Sequence, residues 1–217
     1  YWQDNPTLSF YIAAILVVVP GYMYGLLQSL HKARAELEQR ANHDHLTGLM
    51  NRAGIEQKIL ETVMEQPRGH ALLYMDLDRF KSVNDNAGHA AGDRLLKDVA
   101  RVIRRNVREQ DLCARLGGDE FCVLLVECDL ANATRIAECI REQVHQYRLV
   151  WSGKSHSVGT SIGVAASDSV QDGQSLLRLA DAACYAAKNQ GRNSVHVVKP
   201  HQRITDTGLL RRLPEAE

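Results

Sequence analysis

Leu112-Cys113-Ala114-Arg115-Leu116-Gly117-Gly118-Asp119-Glu120-Phe121-Cys122-Val123-Leu124-Leu125-Val126 reads as two short apolar runs around a Gly-Gly dipeptide. That pattern predicts a β-hairpin turning at Gly117-Gly118, with Asp119 and Glu120 at its tip. Glycines at such a tip let a substrate approach the backbone closely, because no Cβ stands in the way. Taken alone, the same residues describe an ordinary turn with acidic neighbours.

Outward from the hairpin, helices and strands alternate over Asp44 to Val198. On the N-terminal side, Leu95, Leu96, Val99 and Ile103 mark one helix face, and Ile55, Ile59, Leu60 and Val63 another. Between them Ala71 to Met75 is a buried-strand pattern that ends in Asp76. On the C-terminal side, a helix is expected over 131–147, with Ile136, Ala137 and Ile140 inward. Val158, Thr160, Ile162 and Val164 alternate as in a strand. A last helix is expected over Leu176 to Lys188, before Gly191, and a last strand over Ser194 to Val198.

Asp76-Leu77-Asp78 stands at the end of that predicted strand, where carboxylates can hold Mg²⁺, a hard cation that prefers oxygen ligands and keeps waters and substrate phosphates. Alone, such a pair is more often a turn or a helix cap. Set beside Asp119 and Glu120 on a separate segment, it describes carboxylates able to converge on a metal-bound triphosphate. Phosphoryl and nucleotidyl transfer rest on such positioning and charge neutralisation. Lys81, Lys188 and Arg192 are candidates for the phosphate oxygens. Lys188 and Arg192 also fall near a helix C-terminus, where cations are favourable in any case.

The 217 residues suit one domain plus extra segments, and 45% hydrophobic with 24% charged residues supports a packed core. A formal net charge of zero argues against a nucleic-acid partner bound on a broad basic face. Cys113, Cys122, Cys128, Cys139 and Cys184 show no paired spacing and read as small, buried, reduced side chains. Tyr1, not Met, stands first, so the chain reads as a piece of a longer protein. Leu8 to Leu30 is mostly apolar and free of charge, long enough for a hydrocarbon core roughly 30 Å thick. His31, Lys32 and Arg34 follow it, which predicts a bacterial inner-membrane anchor with everything downstream in the cytoplasm. Leu26, Leu30, Ala33 and Leu37 fit a coiled-coil seam or a solvated connecting helix. The expected division is a transmembrane helix over 1–30, a helical stalk over 31–43, a globular domain over 44–198 and a flexible tail over 199–217.

Gly117-Gly118-Asp119-Glu120-Phe121 spells GGDEF, the signature of the GGDEF-domain diguanylate cyclases. Further motifs resemble the same family in order: Asp44 to Arg52, Asp76 to Lys81 with Asn84-Asp85, Gly88-His89, Gly92-Asp93, Ser161 to Val164, and Ala180-Asp181 through Tyr185 to Lys188, Gly191, Arg192 and Asn193. The resemblance implies an α/β (α+β) fold with a central, mainly antiparallel sheet flanked by helices, like the nucleotidyl cyclase and polymerase palm. It implies condensation of two GTP into cyclic di-GMP and pyrophosphate across a homodimer, with Mg²⁺ or Mn²⁺. Asp76, the Leu77 carbonyl and Asp119 look like the metal site, supported by Glu120. Lys81, Lys188 and Arg192, with amides near Arg79 and Phe80, look like triphosphate contacts, and Gly117 and Gly118 like part of the substrate cradle. Asn84 and Asp93 resemble the guanine readers. Arg108 and Asp111 form an RxxD five residues before Gly117, which resembles the family's product-inhibitory site. The further arginine some members use aligns with Cys139 here, and Arg135 lies one turn earlier. A nucleotide-sensing module without turnover is the alternative function.

Overall fold

The computed structural model describes Leu16, residues 18–30, Lys32 and residues 41–198. The chain divides into two compact units, Tyr1–Ala41 and Asn42–Glu217. In the first, residues 18–30 are helical. Among the described residues no helix is long and apolar enough to cross a membrane, so the expected span is not met there. Residues 1–15 and 17 of the expected transmembrane helix, 31 and 33–40 of the stalk and the whole tail from 199 lie outside the described residues.

In the second unit the elements run α1 (Arg52–Glu65), β1 (Ala71–Asp78), α2 (Phe80–Ala87), α3 (His89–Arg105), β2 (Leu112–Gly117), β3 (Glu120–Leu125), α4 (Leu130–Gln146), β4 (Leu149–Trp151), β5 (Lys154–His156), β6 (Gly159–Ala166), α5 (Gly173–Asn189) and β7 (Val195–Val197). Five strands form one sheet in the order β2-β3-β1-β6-β7, and β4 and β5 form a separate two-stranded ribbon. The main sheet is antiparallel throughout except for β6 against β7. This is the mixed fold that the alternating pattern predicts.

Successive strand residues face opposite sides, and here both sides are covered. Leu73, Met75, Leu77, Phe121, Val123 and Leu125 pack with residues of α2, α3 and α4. Leu72, Tyr74, Cys122 and Leu124 pack with Ile55 and Ile59 of α1 and Ala180 and Cys184 of α5. β1, at the centre, is therefore buried along almost its whole length. The polar residues Asp76 and Asp78 lie on the α1 and α5 side, because they continue the register of Leu72 and Tyr74.

The structure corrects four details of the sequence reading. Leu60 is 43% exposed, since a step of one residue from Ile59 turns it off the packed face. β1 does not stop at Met75 but continues to Asp78, because Leu77 and Asp78 still pair with Thr160 and Gly159 of β6. The hairpin turns at Gly118-Asp119, one residue later than expected, because a register shift between Arg115 and Gly117 pairs Gly117 with Glu120. Gly117 and Gly118 have φ of 149° and 51°, which L side chains rarely adopt, so the turn needs both glycines. Cys139 is exposed on the outer side of α4, whereas the other four cysteines are buried.

Candidate active site

The end of β1 and the turn of the hairpin meet at one end of the sheet. Asp76 pairs with Glu120 across the two strands. The next rung is kept by the Leu77 amide, which donates to the Asp119 carbonyl at 3.2 Å. Two segments far apart in sequence thus bring Asp76, Leu77, Asp119 and Glu120 together. The turn is further held by Arg115, whose Nε and Nη2 donate to the Gly118 carbonyl at 2.9 and 2.8 Å. Arg115 is itself paired with Asp44 at 3.1 Å, which ties the turn to the segment that opens the domain.

Lys188, in the last turn of α5, reaches back to the Asp76 carboxylate at 2.6 Å. Burial pushes the Asp76 carboxyl above its ordinary range. Lys188 opposes that, while Asp119 and Asp78 add to it by repulsion. Burial works against the Lys188 charge, but the hydrogen bond and attraction to Asp76 outweigh it and raise its pKa. Asp76 and Asp119 thus crowd negative charge that one ammonium does not fully balance. A divalent cation would relieve such repulsion, and carboxylate oxygens are the hard donors that Mg²⁺ or Mn²⁺ takes. Among the described residues no group of three or more His, Cys, Asp and Glu is arranged around a metal position. A site with two carboxylates instead leaves coordination positions for substrate phosphates and water, as Mg²⁺ sites commonly do.

Asp78, two residues on, does something different. Its carboxylate accepts the Ser161 hydroxyl at 2.7 Å and the Asn193 amide at 2.8 Å. It pins the turn between α5 and β7, where Arg192 sits exposed with φ of 66°.

Across β1 from α5, the helices α2 and α3 carry the rest. Asn51, Asp129 and Asp172 cap α1, α4 and α5 with their side chains. No side chain caps α2 or α3. The amino end of α2, with Phe80 and the exposed Lys81 in its first turn, therefore keeps its amide dipoles available for an anion. Asn84 faces α3 at Gly92, where an added Cβ would overlap the Asn84 carboxamide oxygen. That glycine lets Asn84 lie flat against α3, one residue from the exposed Asp93.

Arg108 and Asp111 stand apart, at the far end of the hairpin from Asp119. Arg108 is exposed. Asp111 is only 4% exposed, and its carboxylate accepts the amides of Arg108 at 2.8 Å and Val126 at 3.1 Å. Its first role is to fold the loop that presents Arg108. Cys139 contacts the Asn106 carboxamide on a neighbouring surface.

Three residues near the acidic cluster have no role in the sequence reading. Arg52 contacts Glu120 at 3.4 Å. Tyr74 is almost fully buried; burial, then the charges of Glu120 and Asp181, push its pKa well above the phenol range. Burial raises the Asp181 carboxyl, and Glu120 adds to it by repulsion. Arg52 and Asp181 lie inside motifs visible in the sequence. Tyr74 gives no signal beyond its place two residues before Asp76.

The family model described as diguanylate cyclase, GGDEF domain, matches residues 41–194. The chain is 44% identical over 184 residues to the probable diguanylate cyclase DgcE of Escherichia coli strain K12, covering 82% of this chain and 17% of DgcE. The chain thus spans about a sixth of that relative's length. Among solved structures it resembles the coiled coil and GGDEF domain of DgcB from Caulobacter crescentus in complex with c-di-GMP, with a TM-score of 0.76 and 27% identity, covering 85% of this chain and all of that one. It also resembles the GGDEF domain of PA1120 (TpbB or YfiN) from Pseudomonas aeruginosa, with a TM-score of 0.68 and 42% identity, covering 72% and 94%.

Proposed function

We propose, from the premise that this chain belongs to the GGDEF-domain family of diguanylate cyclases, that it condenses two GTP into cyclic di-GMP. The observation that carries this reading is the meeting of Asp76 and Asp119 through the Leu77–Asp119 backbone bond, beside an uncapped helix end. Asp76, Asp119 and the Leu77 carbonyl would hold Mg²⁺ or Mn²⁺, with Glu120 beside them. When bound, the ion supplies charge neutralisation at the triphosphate and lowers the cost of deprotonating a hydroxyl.

This chain's residues bind and orient. The amides at Arg79 and Phe80, with Lys81, Lys188 and Arg192, grip the triphosphate. Asn84 and Asp93 read guanine, whose N1–H and amino group suit a carboxylate acceptor, whereas adenine has no N1–H. Gly117 and Gly118 leave room at the turn for the substrate. Each subunit of a homodimer holds one GTP, and the two face each other. Attack of one 3′-oxygen on the partner's α-phosphorus forms an O–P bond, breaks the bond to the bridging oxygen and releases pyrophosphate. A second attack closes the ring. Incubation of the dimeric protein with GTP and Mg²⁺, followed by mass analysis, should give cyclic di-GMP. Binding of GTP without any cyclised product would favour a sensing module instead.

Two further parts of the reading rest on the sequence. Product binds at Arg108, presented by the Asp111-folded loop, and slows the enzyme. Arg108→Ala should relieve inhibition by added cyclic di-GMP without lowering the initial rate. Residues 8–30 anchor the protein in the bacterial inner membrane with the catalytic domain in the cytoplasm. Recovery of the full chain in the soluble fraction after expression would defeat that placement.

A further inference from the structure

We propose that Arg52 is a positioning residue that sets Glu120 and the acidic turn against the metal site; the proposal rests on the cyclase reading above. Arg52 is the first residue of α1, directly after Asn51, whose side chain accepts the Gly54 amide at 2.9 Å. The base of the side chain is thereby fixed by a capped helix start. From there its guanidinium crosses to the hairpin. Nε donates to the Leu116 carbonyl at 3.4 Å, and Nη2 donates to the Glu120 carboxylate at 3.4 Å. Nη1 lies 3.5 Å from Glu56, one helical turn on, which holds the fork from behind.

Leu116 lies within the register shift of β2, between Arg115 and Gly117, and Glu120 begins β3. One planar group therefore spans both arms of the turn that carries Gly118 and Asp119. Beside it the buried Tyr74 hydroxyl lies within the electrostatic reach of both Arg52 and Glu120. Tyr74 precedes Asp76 by two residues on the same face of β1, so the Glu120 carboxylate, held from α1 by Arg52, stands on the strand face that also carries Tyr74 and Asp76. The guanine and triphosphate grips lie elsewhere, on α2, α3 and the end of α5. A fault in the Arg52 clamp should thus spoil the geometry of transfer more than the binding of nucleotide. A displacement of about 1 Å at such a site costs on the order of 10²-fold in rate.

The test uses the full chain and measures cyclic di-GMP formation, GTP binding with Mg²⁺ and thermal melting. Arg52→Met should lower kcat by roughly 10²-fold while leaving the KM and the GTP affinity close to wild type. Arg52→Lys keeps the charge but cannot span both partners, so it should recover part of kcat. If Glu120→Gln retains turnover, adding Arg52→Met to it should cost little more, because both act through one carboxylate. Should Arg52→Met unfold at the assay temperature, Arg52→Lys carries the same split between kcat and KM. Wild-type kcat in a folded Arg52→Met protein, or a loss confined to GTP affinity, would overturn the proposal. A wild-type protein that forms no cyclic di-GMP would instead refute the cyclase reading itself.

Discussion

Asp76 and Asp78 lie two residues apart on one strand, point to the same side of one sheet and carry the same chemistry, yet the fold uses them differently. Asp78 is 7% exposed and satisfied twice within the protein, by the Ser161 hydroxyl and the Asn193 amide. Asp76 has one strong partner, Lys188, and is crowded by the charges of Asp119 and Asp78. Asp78 is scaffold: it fixes the turn after α5, next to Arg192. Asp76 is left with acceptor capacity and an unfavourable electrostatic setting, which a metal-bound triphosphate could use. Buried polar groups are normally fully paired, and the incomplete balance at Asp76 is what the proposed metal role would use.

The contrast breaks first at the turn. Asp119→Ala and Asp76→Ala should each abolish cyclic di-GMP formation, a loss of more than roughly 10²-fold for a group proposed to hold the charge-neutralising ion. Both should leave the melting temperature near wild type, because a turn-tip carboxylate and a crowded one contribute little to packing. Asp119→Ala that is folded and fully active would remove this carboxylate from the chemistry and leave the contrast without its functional half.

Asp78 sharpens the other side. Asp78→Ala strands the Ser161 hydroxyl and the Asn193 amide at a buried position. Each unsatisfied buried group costs about 1–3 kcal/mol, so denaturant unfolding should show a loss of that order. The activity of the molecules that remain folded should fall far less than in Asp76→Ala. Equal loss of activity in folded Asp76→Ala and Asp78→Ala proteins, with unchanged stability in both, would mean that the strand end works as a carboxylate pair after all.

Much of this was legible in the sequence, for identifiable reasons. The hairpin signal at Gly117-Gly118 survives because positive φ at those positions demands glycine. The acidic cluster is legible because its residues lie in contiguous motifs. What sequence could not supply is the division of labour within the motifs. Asp76 and Asp78 read alike until Ser161 and Asn193, both distant in sequence, are seen to claim the latter. Asp111 reads as a ligand-binding carboxylate, yet its oxygens are engaged by the amides of Arg108 and Val126. Arg52, Tyr74 and Asp181 converge on Glu120 only through the packing of α1 and α5 on the sheet. The turn itself sits one residue later than the glycines suggest, because a bulge is a property of pairing and not of local pattern.

The finest difference between the two aspartates is electrostatic. In the metal-free protein the Asp76 carboxyl titrates above its ordinary range, chiefly through burial, with Lys188 pulling it down and Asp119 and Asp78 pushing it up. A raised carboxyl binds its proton more tightly in the folded state than in the unfolded one. Its contribution to stability is therefore present below the ordinary aspartate range and is lost as pH rises through the raised value. The same proton competes with a divalent ion for Asp76, so Mn²⁺ binding without nucleotide should weaken as pH falls through that value. Lys188→Met removes the influence that lowers the pKa, and the acid limb of the binding curve should move to higher pH. Asp78→Asn removes a repelling charge and keeps the side-chain shape, and the limb should move to lower pH. Calorimetric titration of Mn²⁺ into the folded variants over a pH series reads both movements. No movement of the limb in either variant would show that Asp76 is governed by burial alone and that its neighbours are electrostatic bystanders.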